Sequence, residues 1–154
     1  MGKAYGDTMG DYFGREHSLS VESAALANDV ALTWLCARGR GTGMTAPIPP
    51  EPALLLAVQL QPLRQHALWL DGKAVPVAPY AAGALTMLDL RARPMANLES
   101  AYECVQIYLP HAALDAVSEA EETRRLDALP LLEGAEDPVL AHLAHIARAA
   151  VSPV

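Results

Sequence analysis

Through the first two-thirds of the chain, apolar residues fall in short runs separated by glycine, proline and charge. Residues 30–38 (VALTWLCAR) are apolar, contain Val, Thr and Trp, and end at Gly39, which predicts a strand. Residues 39–52 hold three glycines and four prolines, a composition of loop rather than helix. Further strands are predicted over 54–62 (LLLAVQLQP), 84–90 (ALTMLDL) and 102–109 (YECVQIYL). The run 66–77 (HALWLDGKAVPV) reads as a hairpin. Asp71-Gly72 supplies the two positive-φ positions that a two-residue turn needs.

Several of these runs carry apolar residues on both faces, so both faces are covered. By period two, Tyr102, Cys104, Gln106 and Tyr108 share one face of the last strand, and Val105, Ile107 and Leu109 the other. Such a strand belongs inside a sandwich or barrel whose outside is also covered. After Pro110 the period lengthens. Pro110 fits the first position of a short helix near 112–117, and 118–136 reads as acidic and irregular. Asp137 as N-cap and Pro138 open a final helix with one apolar stripe through Val139, Leu140, Leu143, Ile146, Ala147 and Ala150. The fold class expected is α+β, mainly β. Residues 1–28 form an arm or loosely attached strand, 29–110 the barrel, and 111–154 a C-terminal helical segment of the same domain.

Composition narrows the function. Net charge is −7, and residues 110–154 alone carry eight acids against three bases. That disfavours unaided nucleic-acid binding and adsorption to anionic membranes. No signal peptide or membrane-length apolar run is visible, so a cytoplasmic location is expected. Cys36 and Cys104 lie far apart inside apolar runs and read as buried free thiols. His142 and His145 stand three apart but lack a third ligand. His17, His66 and His111 have no partner at ligand spacing, and His-x-His is absent. No G-x-S-x-G elbow occurs, and Gly39–Gly43 lacks the Lys-Ser/Thr of a phosphate loop. No catalytic residue, metal or cofactor is expected. Large or polar side chains on predicted strands, Trp34, His66, Gln106 and Tyr108, are the candidates to line a ligand pocket, Trp34 and Tyr108 by stacking, His66 and Gln106 by hydrogen bonds. Leu140, Leu143 and Ala147 are candidates for helix packing or dimerisation.

Five segments occur in order: MTAPIPPE (44–51), LWLDGKAVPV (68–77), AAGALTMLDLRARP (81–94), IYLPHAALDAV (107–117) and EDPVLAHL (136–143). Together they resemble the N-terminal effector-sensing domain of AraC-type bacterial transcription regulators. The resemblance covers about residues 10–150. It implies a cupin-like β-barrel that holds a small effector without metal, followed by helices that can form a homodimer. It also implies that DNA is bound only through a separate C-terminal helix-turn-helix domain, absent from this chain. On this view the chain is regulatory and not an enzyme. Two alternatives are a metal-free, isomerase-like cupin enzyme, with Glu103 or Asp89 acting near His66, and a pure oligomerisation module with a filled barrel.

Overall fold

A computed structural model describes residues 8–14, 19–120 and 132–151. Its elements, in chain order, are α1 (Met9–Phe13), β1 (Leu19–Ala25), β2 (Ala31–Ala37), β3 (Gly43–Met44), β4 (Ala53–Gln59), β5 (His66–Leu70), β6 (Lys73–Val75), β7 (Ala84–Asp89), β8 (Met95–Leu98), β9 (Tyr102–Pro110), α2 (His111–Ala120), β10 (Leu132–Glu136) and α3 (Pro138–Val151). The strands form two sheets. One has six strands in the order β1-β2-β9-β4-β7-β10, the other four in the order β3-β8-β5-β6. Every pairing is antiparallel. The class is α+β, mainly β, with two helices after the main run of strands.

β9 is the centre of the larger sheet. It pairs along its length with β2 and β4, and Val105 is fully buried. A strand with neighbours on both edges and cover on both faces tolerates an almost unbroken apolar sequence. Its two faces feed two separate apolar clusters. Tyr102, Cys104 and Tyr108 join the core between the sheets, with Leu35, Leu55 and Leu98. Val105 and Ile107 join a second cluster outside, with Leu32, Trp34, Val58 and Leu85, and α3 covers it.

The Asp71-Gly72 turn forms as the pattern predicts, with φ of 49° and 76° at the two central residues. At the other end of the sequence, Asp137 caps α3: its Oδ1 accepts the backbone N–H of Val139 at 3.0 Å and of Leu140 at 3.1 Å. Three expectations are corrected. Pro110 is the last residue of β9 and not the first of α2, because it still pairs with Ala53. The stretch ending at residue 136 is not wholly irregular. Residues 132–136 form the edge strand β10 on β7, with a register shift between Leu132 and Ala135. Residues 121–131 lie outside the described residues. The early segment also contributes more than an arm: β1 makes seven pairs with β2, and α1 buries Met9 and Phe13. No helix among the described residues is long and apolar enough to cross a membrane.

Candidate ligand chamber

Antiparallel partners share a face, so the register assigns the inner face of the larger sheet row by row. One row runs Thr33, Gln106, Ala57, Thr86 across β2, β9, β4 and β7. The next runs Leu35, Cys104, Gln59. The small Ala57 between Gln106 and Thr86 leaves room above it. The opposite sheet contributes His66, Leu68, Ala96 and Leu98, and Phe13 comes from α1. Between the sheets lies a cavity of about 90 Å³ whose walls are mostly hydrocarbon. Ala57 faces inward yet is only half-buried, so solvent reaches this chamber.

Four polar atoms in the chamber have no protein hydrogen-bond partner, whereas the Thr45 and Tyr102 hydroxyls are paired with Ala96 N–H and Thr42. Gln59 Oε1, Thr86 Oγ1, Gln106 Oε1 and His66 Nε2 are all buried without a hydrogen-bond partner. The two glutamines and Thr86 are each at most 6% exposed. The His66 ring lies 4.2 Å from that of Tyr80, tilted by 48°. Burial holds the His66 pKa below the ordinary imidazole value, with the Glu133 carboxylate opposing. The ring is therefore neutral at pH 7. Burial likewise pushes the Tyr80 phenol up to about 12; the neighbouring Thr86 hydroxyl opposes this and Glu133 adds to it. Cys104 also lines the chamber, but burial pushes its thiol up to about 12, so it is a thiol and not a nucleophilic thiolate.

Of the four residues expected in the pocket, His66 and Gln106 line the chamber and Trp34 and Tyr108 do not. Trp34 pairs with Val105 and so points to the outer face, under α3. There its Nε1 donates to Glu103 Oε1 at 3.2 Å, and Arg148 stacks 4.6 Å above the ring while donating to the same Glu103 oxygen at 2.6 Å. Tyr108 has the inward parity but stands at the far end of β9, where its hydroxyl donates to Glu51 at 2.7 Å. Gln59, Thr86 and Tyr80 are the chamber residues that strand parity did not single out. The signal available was a lone polar residue in a strand otherwise apolar on both faces.

The helix residues divide as well. Leu140, Ala144 and Ala147 pack on the outer cluster, whereas Leu143 is 51% exposed. Neither acid proposed for an enzyme reaches His66. Glu103 is held by Trp34 and Arg148 on the outer face. Asp89 is engaged by Arg91 at 2.6 Å, which holds its carboxyl below the usual range, and it lies 3.7 Å from His111. Among the described residues no three or more His, Cys, Asp or Glu gather as a metal site. The chamber's lining offers one imidazole, one thiol, two amides and the hydroxyls of Thr45, Thr86, Tyr80 and Tyr102, with no carboxylate and no second imidazole, which is not the His and carboxylate set that a metal centre takes.

No protein-family model matches the sequence, and no curated protein matches it. Solved structures similar to it include cupins. A cupin superfamily protein from Desulfitobacterium hafniense is 15% identical, with 59% of this chain and 78% of that one covered and a TM-score of 0.42. An RmlC-like cupin from Desulfovibrio desulfuricans is 11% identical, with 64% and 87% covered and a TM-score of 0.46. A variant of oxalate decarboxylase OxdC from Bacillus subtilis is 8% identical, with 77% and 38% covered and a TM-score of 0.42. Its presence among the similar structures corrects the expectation that the chain is not an enzyme, and that expectation is withdrawn. The architecture is mainly β with C-terminal helices, as expected.

Proposed function

We propose that this chain is the effector-sensing domain of an AraC-type transcription regulator, which binds a small molecule between its two sheets. The observation that carries this is the chamber with four buried polar atoms left unpaired. A buried donor or acceptor without a protein partner costs about 1–3 kcal/mol unless a bound molecule supplies the missing bond, and four such atoms face this one cavity. A ligand that pairs them recovers that cost, and it shifts the domain between arrangements by its difference in affinity for each. The ordered segments from 44 to 143 support the regulator context. DNA contact on this reading belongs to a helix-turn-helix domain outside the chain. Two copies pair through the apolar row on α3, where Val139, Leu143 and Ile146 are more than half exposed. Thermal unfolding across a library of small metabolites tests the central claim, because a ligand that binds only the folded state raises the midpoint. A chamber indifferent to every compound overturns it. Sedimentation velocity tests the pairing, and a monomer at tens of micromolar counts against that part.

A second reading has one observation in its favour. The neutral imidazole of His66 lies tilted against Tyr80, and the Glu133 carboxylate acts electrostatically on both. These groups suit proton transfer on a bound metabolite. Exchange of a bound compound's C–H into deuterated solvent, lost in His66→Asn, supports acid–base chemistry. Binding without exchange leaves the sensing role.

A further inference from the structure

The chamber's lining holds enough information to specify the kind of molecule it takes. Among the described residues that line it there is no Asp, Glu, Lys or Arg. An anion entering would surrender its hydration with no positive charge to replace it, and a cation would find only the Glu133 carboxylate, which acts on His66 and Tyr80 from outside the lining; either loss is far larger than hydrogen bonds recover. The single titratable base facing the space, His66, is kept neutral by its burial. Size sets a second limit. A cavity of about 150 Å³ accommodates benzene, and this one is about 90 Å³. A sugar ring does not fit without rearrangement.

Placement of the polar atoms sets a third limit. Gln106 and Thr86 flank Ala57 in one row, and Gln59 follows one step along β4, so three of the four unpaired atoms come from one sheet. Leu68, Ala96 and Leu98 face them from the other sheet, with His66 at the end of that row. The chamber therefore has a floor that holds most of the unpaired acceptors and a roof that is hydrocarbon apart from His66, Tyr80 and Thr45. Two of the floor atoms are amide oxygens, which only accept. A group that both donates and accepts, a hydroxyl or a carboxamide, satisfies a glutamine in either amide orientation.

We propose that the chamber takes a neutral molecule smaller than benzene, about five non-hydrogen atoms or fewer, with O–H or N–H groups on one side and hydrocarbon on the other. Short-chain amides and vicinal diols are of this class. The proposal rests on the reading of the barrel as a binding chamber, and the test separates the two.

Isotope-labelled protein is titrated by NMR with propanamide and with 1,2-propanediol. The same titration is run with propionate and propylammonium, which match in size but carry charge, and with cyclopentane. The expected result is saturable shifts at β4, β7 and β9 for the two neutral polar probes and none for the ions. Thr86→Val and Gln106→Leu weaken propanamide about five- to tenfold, the size of one lost neutral hydrogen bond, and leave cyclopentane unchanged or tighter. Both variants replace an unpaired polar group with an apolar one of similar shape, so their folds persist; their amide spectra check this. Propionate or propylammonium binding as tightly as propanamide overturns the neutral class while the chamber reading stands. Cyclopentane binding alone does the same. Binding of propanamide that neither variant weakens overturns the assignment of the floor. If no probe enters, cyclopentane included, both readings fail.

Discussion

Two side-chain groups have consequences that can be measured one residue at a time. His66 is buried next to Tyr80, and its pKa in the folded chain lies below the ordinary value of about 6.5. Between those two values the unfolded chain binds more protons than the folded one, so stability rises with pH across that window. The contribution is complete above pH 6.5 and is lost as pH falls through the folded pKa. Unfolding midpoints between pH 5 and 8 should show this slope in the parent and a shallower one in His66→Asn. An equal slope in both places the pH dependence elsewhere. On the other face, Glu103 accepts from both Trp34 and Arg148, and Arg148 also lies over the indole. Arg148→Met keeps most of the packing but removes the charge, so the loss is expected to be about 1 kcal/mol, since Arg148 is partly exposed. A cycle with Glu103→Gln, read by urea denaturation, isolates the pair. A coupling near zero means that α3 is held by its apolar contacts alone.

At the scale of elements, local signals act where they are strongest. Gly72 has φ of 76° at the second position of the hairpin turn, with open space around it. Gly72→Ala therefore strains the backbone without a clash and should lower stability by about 1 kcal/mol, measurable by thermal denaturation. The loop expected over 39–52 holds the two-residue strand β3 (Gly43–Met44), whereas Asp71-Gly72 and the Asp137 cap were legible because their conformations depend on one or two residues. β8 (Met95–Leu98) and β10 (Leu132–Glu136) were not. Each is short, carries a polar residue or glycine, and acquires its conformation from the strand beside it. The chamber was half legible for a related reason. Alternation separates the faces of β9, where tyrosine and glutamine mark the inner one. β2 and β4 are apolar on both faces, so parity alone could not say that Trp34 points out and Gln59 in. Only the pairing register decides this. The stripe on α3 was read correctly as apolar, yet the helix presents Leu140, Ala144 and Ala147 to the sheet and leaves Val139, Leu143 and Ile146 exposed.

Over the whole molecule, the two sheets have to close around the chamber at a few points of contact. Gly41 is one of them. A Cβ built there lies 1.9 Å from the Leu98 carbonyl oxygen, and the Gly41 N–H donates to Glu99 O at 3.2 Å. Gly41→Ala must push the loop off the end of β8, a backbone shift rather than a side-chain one. The loss is expected to be about 3 kcal/mol or more, and a melting temperature within two degrees of the parent would show that the loop yields freely. The division of β9 into inner and outer faces has a further result for the thiols. Cys104 belongs to the cluster between the sheets and Cys36 to the one beneath α3, although their strands are neighbours. Facing apart across a single sheet, the two sulfurs have no route to one another while β2 and β9 stay paired. Oxidative cross-linking of this pair would then act as a clock for sheet opening: its rate counts the moments when the central ladder comes apart, and an intact protein keeps it silent.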